Sequence, residues 1–238
     1  MKTIRSVFVA MLLMVSTSVC AQYDGDYYSS QPVYQSYEST RYRYDVSNWG
    51  DFYLEYSPMR LTTNEKGYDD LSFKGFTIGF SYAFMLGYSP VFLEAGFEAS
   101  GSYFKETYYD DDWDEKVRHN YDFYYSKIPI NVGLRFNLSD NFAIAPFGGV
   151  HATINISAKE RYKGEYSGSE SYDLFDEDYK YDDGYKRFQL GFQGGLRLIL
   201  FNTISIRATY KGDLTPLYSD FGVKQKFHGF SFGLGYCF

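Results

Sequence analysis

The chain has 238 residues, a formal net charge of −7, 45% apolar and 21% aromatic residues, and 22 glycines. That length holds one domain or two, the apolar share excludes wholesale disorder, and 30 Asp+Glu against 23 Lys+Arg argues against nucleic acid, whose phosphates call for a basic face. Two cysteines, Cys20 and Cys237, build no disulfide framework, and beyond the N-terminal segment no run approaches the roughly 18 apolar residues of a transmembrane helix.

Residues 1–21 read as a cleaved export signal. Lys2 and Arg5 give a positive start, residues 7–15 an apolar run, and Val19, Cys20 and Ala21 a small-residue cleavage site before Gln22. Two alternatives fit less well. Lipidation at Cys20 expects a Leu and a small residue that Thr17, Ser18 and Val19 do not supply, and Ser16, Thr17 and Ser18 interrupt a stop-transfer helix. Residues 22–47, rich in Tyr, Ser, Asp and Gln without a period, read as a flexible periplasmic extension. Residues 48–238 form one further domain.

From residue 50 onward a period of two recurs, which means strands. Phe52, Leu54 and Tyr56 oppose Asp51, Tyr53 and Glu55. Phe76, Ile78, Phe80, Tyr82 and Phe84 oppose Gly75, Thr77, Gly79, Ser81 and Ala83. Leu93, Ala95, Phe97 and Tyr103 oppose Glu94, Gly96, Glu98 and Ser100, and Ile128, Ile130, Val132, Leu134 and Phe136 oppose Lys127, Asn131, Gly133 and Arg135. Residues 142–157 alternate less cleanly. Phe147 falls on the small face, and Pro146 followed by Gly148 and Gly149 points to a bulge there. Phe188, Leu190, Phe192, Leu196, Leu198 and Leu200 oppose Gln189, Gly191, Gln193, Gly195 and Arg197, and Ile204, Ile206, Ala208 and Tyr210 oppose Ser205, Arg207, Thr209 and Lys211. The last strand sets Phe230, Phe232, Leu234, Tyr236 and Phe238 against Gly229, Ser231, Gly233, Gly235 and Cys237.

These are eight strands. Short connections (85–89, 138–141, 201–202) alternate with long ones (60–70, 105–120, 158–186, 212–224), the pattern of an up-and-down antiparallel meander whose two ends face different compartments. Eight closed strands enclose too little space for the large apolar set. The small face fits inside and the aromatic face points outward, which only lipid tolerates. Closure also leaves no unpaired backbone in hydrocarbon. Phe84, Phe136, Phe142, Tyr236 and Phe238 at one rim and Tyr56, Tyr103, Tyr124 and Tyr210 at the other fit interfacial girdles.

Residues 126–136, Ser-Lys-Ile-Pro-Ile-Asn-Val-Gly-Leu-Arg-Phe, and the chain-terminal Phe238 resemble the outer-membrane β-barrel domain of PorT-like proteins. The resemblance covers about residues 48–238. It implies an integral outer-membrane location, outer-membrane lipid as surroundings, and a C-terminal signal (Phe230, Phe232, Leu234, Tyr236 and Phe238) read by the barrel-insertion machinery.

His119, His151 and His228 are the histidines. His151 with Thr153 has some likeness to the His-x-Ser pattern of outer-membrane lipid-modifying enzymes, but parity turns His151 into the lumen rather than towards lipid. Acidic runs at residues 110–115 and 173–183 carry oxygen ligands suited to Ca²⁺ or Mg²⁺ without EF-hand spacing, and read as solvated loop charge. Loop tyrosines such as Tyr108, Tyr109, Tyr162, Tyr166, Tyr172 and Tyr185 offer rigid contact area. No catalytic residue, metal or cofactor is implied.

The lumen face carries Asp51, Glu55, Glu94 and Glu98 on early strands and Lys127, Arg135, Arg197, Arg207 and Lys211 on later ones. Heights counted from the short turns pair Glu94 with Arg135 and Glu98 with Lys127, and bring Arg197 and Arg207 towards Glu94 or Glu55. Buried charge is costly unless paired, so a plugged lumen is expected. A structural or surface-interaction role towards an unidentified extracellular or envelope protein follows. A small channel is the alternative, and a membrane-embedded enzyme a further one.

Overall fold

The computed structural model describes residues 47–64, 70–87, 89–110, 115–164, 168–175, 185–220 and 222–238. The chain divides into two units, Met1–Tyr42 and Arg43–Phe238, and every described residue belongs to the second. The export signal, nearly all of the extension, and most of both acidic runs lie outside the described residues.

The second unit is all-β and antiparallel. Eight strands pair in a closed ring: β1 (Trp49–Tyr56), β3 (Leu71–Met85), β4 (Val91–Asp110), β5 (Glu115–Leu134), β7 (Phe142–Gly164), β9 (Phe188–Leu200), β10 (Ile204–Asp213) and β12 (Val223–Cys237), with β12 returning to β1. Four short strands extend it. β2 (Met59–Thr63) continues β1 beyond Ser57 and Pro58 and pairs with both β3 and β12. β6 (Phe136–Ser139) continues β5 past Arg135, β8 (Ser169–Asp173) adds to β7, and β11 (Tyr218–Asp220) adds to β12.

Side chains alternate across the wall as a pleated strand requires. Leu54, Phe76, Ile78, Phe97, Ile130, Leu190, Phe232 and Leu234 are exposed, whereas Asp51, Thr77, Glu98, Lys127, Gln189, Arg197 and Ser231 are buried. A soluble protein would reverse this arrangement. Phe84, Tyr236 and Phe238 at one rim and Tyr103 and Tyr124 at the other are exposed aromatics.

Two sequence expectations are corrected. No bulge forms at Pro146. Pairing of β7 with β9 runs unbroken from Phe142 to Ile154, and Pro146 falls where β5 gives way to β6. Phe147 is therefore a true lumen residue, 1% exposed, facing Gly133 and Gly195. The register shift lies between Tyr124 and Tyr125, where Ile156 is the extra residue, so that Asn155 and Ala158 both turn inward.

The long connections also carry more strand than expected. β4 and β5 continue to Asp110 and from Glu115, and β7 reaches Gly164 and is joined by β8. Beyond Tyr103 and Tyr124 the outward face turns polar, with Lys105, Arg118 and Arg161 exposed, so the alternation of large apolar with small residues fades while the backbone pairing continues. A short turn joins β9 to β10. Thr203 N–H donates to Leu200 O (3.0 Å), and Phe201 and Asn202 both have positive φ (54° and 53°), the type I′ geometry that suits hairpin twist.

Candidate functional site

The interior of the ring is layered. Near the short-turn end Trp49, Ala83, Phe92, Ala145, Phe147 and Ile199 form an apolar layer, with Trp49 edge-on to Phe92 at 5.0 Å between centroids. At the opposite end Met59, Leu61, Phe73, Phe123, Leu217 and Phe227 form a second, where Phe73 meets Phe123 and Phe227 edge-on at 5.5 and 5.3 Å. Glycines on the small face make these rings possible. A Cβ at Gly133 would lie 2.3 Å from Phe92 Cζ, and one at Gly79 would lie 2.2 Å from Tyr53 Cζ.

Between the layers lies a buried charge network. Arg197 donates to Glu94 (Nη2 to Oε2, 2.5 Å) and approaches Asp51 (Nε to Oδ2, 3.4 Å). Arg207 bridges Asp51 (3.6 Å), Glu55 (3.5 Å) and Glu94 (3.9 Å), its guanidinium 3.6 Å from the Tyr53 ring centroid. Lys211 Nζ donates to Glu55 Oε2 (2.9 Å) and Glu98 Oε2 (2.8 Å), and Tyr53 Oη donates to the other Glu98 oxygen (3.0 Å). Neutral groups add to the shell. Asn131 donates to Glu94 (2.9 Å), Ser205 to Asp51 (2.9 Å) and Gln193 to Asn131 (2.9 Å). Asp51 Oδ2, Glu55 Oε1, Arg197 Nε and Arg207 Nε and Nη1 meet their counter-charges at 3.4–3.6 Å without a hydrogen bond, so opposite charge, more than hydrogen bonding, keeps this part of the cluster buried.

Of the residues singled out from sequence, Glu55, Glu94, Glu98, Arg197, Arg207 and Lys211 come together in this network. Two expected pairs do not form. Arg135 lies four residues along β5 from Asn131, the register partner of Glu94, about 13 Å of extended strand. It lies instead over the Trp49 ring (4.8 Å) and donates to Asn137 and Asn202. Lys127 is opposite Glu98 in register, but that carboxylate is already engaged by Lys211 and Tyr53. Among the described residues Lys127 makes no ion pair, and its ammonium stands 5.2 Å from the Tyr125 ring centroid.

Asp213 was not found from sequence, because residue 212 onward reads as loop. β10 runs to Asp213, and parity places it inside, where Gln189 (3.0 Å) and the Phe227 N–H (3.1 Å) bond it and His151 Nε2 stands at 3.8 Å. His151 is 1% exposed and faces the lumen. Among the described residues no group of three His, Cys, Asp or Glu side chains could hold a metal ion.

The proposed insertion signal, Phe230, Phe232, Leu234, Tyr236 and Phe238, lies wholly on the outward face. The Phe238 backbone pairs with Gly50 (N–H to O 3.1 Å, and 2.8 Å in return), sealing the rim between β12 and β1. Deleting Phe238 is expected to lower assembled protein and leave unassembled chain in the periplasm, measured by fractionation. Normal assembly would remove Phe238 from that role.

A further surface lies beyond the exposed Tyr103 and Tyr124 rim. β4, β5 and β7 have 20, 20 and 23 residues, where about 9–11 span a membrane. The excess forms a protruding sheet completed by β8. Its inner face carries Glu106, Tyr108, His119, Tyr121, Glu160, Tyr162, Glu170 and Tyr172, aligned in register. Glu160 bonds His119 (2.8 Å) and Tyr162 (2.6 Å), and His119 stacks on Tyr162 at 4.3 Å between centroids. Burial, reinforced by the Glu160 carboxylate, holds the phenols of Tyr121 and Tyr162 above the ordinary tyrosine range, so both stay protonated donors.

Residues 7–238 match a family described as the outer membrane protein beta-barrel domain. No curated protein matches the chain. Among solved structures it is similar to Ail, the attachment invasion locus protein of Yersinia pestis, in complex with the heparin analogue sucrose octasulfate (17% identity, TM-score 0.43, 81% of this chain and 100% of that one). It is also similar to Neisserial surface protein A (12%, 0.39, 79% and 96%) and to the N-terminal β-barrel domain of Pseudomonas aeruginosa OprF (13%, 0.31, 79% and 99%).

Proposed function

The chain belongs to the outer membrane protein beta-barrel domain family and is an integral outer-membrane protein, and from that premise we propose that its role is structural or one of surface interaction, without catalysis or transport. One observation carries this reading, the filled interior. Two apolar layers enclose a charge network in which Glu55, Glu94 and Glu98 are each 1% exposed or less. A void lined by Tyr125, Lys127, Asn155, Gln189 and Asp213 measures about 10 Å³, room for one water at most.

In this reading the wall is an eight-stranded barrel with short turns in the periplasm and the protruding sheet outside. Outer-membrane lipid surrounds the wall, and the insertion machinery reads the last strand. The narrower likeness to PorT-like members, carried by residues 126–136 and Phe238, is part of the proposal. The inner face of the protruding sheet is the contact surface. Its tyrosines are held by carboxylates and stacking, which reduces the side-chain entropy lost on contact.

Planar-bilayer recording of the pure protein tests the reading. No long-lived ohmic steps are expected. Steady unitary currents would overturn the filled lumen and install the channel alternative.

A further inference from the structure

The outward face of the protruding sheet carries charge opposite to that of the chain. Lys105 on β4, Lys116 and Arg118 on β5, and Lys159, Arg161 and Lys163 on β7 share the parity of the outward Tyr103 and Tyr124, and all six are exposed. Register stacks them in rows: Lys105, Asn120 and Arg161, then Thr107, Arg118 and Lys163, then Tyr109 and Lys116. Among the described residues the carboxylates on this face are Asp122 and Asp173, both in the row of Lys159. Among the described residues only Arg161 of the six is ion-paired, to Asp122 at 3.0 Å. Arg118 stands directly opposite Lys163, and like charges so placed are destabilising. Among the described residues, a chain of net charge −7 thus gathers positive charge on one sheet face.

The position of the patch points to its occupant. On β4 and β5 its outward parity continues the lipid-facing wall without a break, and on β7 it resumes after the extra residue Ile156. Lys105 lies one row, about 7 Å, beyond Tyr103, and exposed Tyr103 and Tyr124 mark the membrane interface. The headgroup of a neighbouring lipid lies alongside the first of these rows, and the second is about 7 Å further out. We propose that this face binds the phosphate groups of anionic outer-leaflet lipids, with Arg118 and Arg161 offering forked donors and Lys105 and Lys163 point charges. This goes beyond the surface role of the inner face and does not depend on the filled lumen.

The test uses the full chain folded in uncharged detergent and titrated with diphosphoryl lipid A, with heat-dependent gel migration confirming the fold. Each basic residue near an anionic surface contributes about fivefold in affinity. The Lys105→Gln/Arg118→Gln/Lys163→Gln variant should therefore bind about 100-fold more weakly, while Lys224→Gln on β12 binds as wild type. If the triple variant fails to fold, the three single variants, each expected to lose about fivefold, carry the test. Equal binding by wild type and variants overturns the proposal. So does binding of heparin, as a soluble sulfated polysaccharide, with none of lipid A, which would assign the face to soluble polyanions.

Discussion

Arg207→Ala is expected to destabilise the folded barrel by about 3–5 kcal/mol, the cost of removing one partner from a buried ionic cluster. Arg207 is 2% exposed and stands among Asp51, Glu55 and Glu94 while lying over Tyr53. Without it, three carboxylates share Arg197 and Lys211, and Lys211 is already divided between Glu55 and Glu98. Urea unfolding in lipid vesicles measures the loss. Replacing a charge together with its partner by apolar groups of similar volume is often neutral, so Arg207→Met/Glu55→Met should recover a substantial part of it. A cost under about 1 kcal/mol for Arg207→Ala would match the value of a solvated pair and mean that water fills the lumen. Glu98→Ala is expected to cost less than Arg207→Ala, because Lys211 retains Glu55.

The wall was legible in the sequence because membrane strands impose one rule on every residue: large and apolar to lipid, small or charged to the lumen. Leu234, Ile130 and Phe76 obey it from one side and Gly233, Asn131 and Thr77 from the other. Phe147 broke the rule by size alone. The sequence could not show that Gly133 and Gly195 face it across two neighbouring strands and leave the space it fills. Which charges would meet was less legible. Heights counted from turns fix a residue's row only when the turn length is right, and they give no direction for a long side chain. Such counting sets Arg135 beside Glu94, whereas the apolar layer of Trp49 and Phe92 stands at its own level. The protruding sheet was hidden for another reason. Outside the bilayer, Lys105, Arg118 and Arg161 on one face and Glu106, His119 and Glu160 on the other are all polar, so alternation carries no contrast and the segments read as loop.

Leu234→Arg tests the facing of the wall, and its expected cost is about 2–4 kcal/mol, that of a cation on the lipid face near mid-bilayer. Leu234 is 64% exposed and flanked in register by Leu54 and Ile206, themselves exposed apolar residues, so no neighbour can pair the guanidinium. Depth makes the experiment specific. Tyr236→Arg, two residues nearer the rim on the same face, should cost about 0–1 kcal/mol, because its side chain reaches the interface. Gly233 faces the other way, and even a methyl there is refused. A Cβ would lie 2.5 Å from Glu55 Cγ and 2.7 Å from the Leu54 carbonyl oxygen, and that oxygen is backbone and cannot swing aside. Gly233→Ala should therefore destabilise by steric collision without regard to charge. Refolding of the three variants into vesicles separates these causes. Thickening the bilayer should raise the cost of Tyr236→Arg as the rim sinks into hydrocarbon and leave that of Gly233→Ala unchanged. Equal stability of Leu234→Arg and wild type would place Leu234 away from lipid, and the inside and outside of the wall would have to be exchanged.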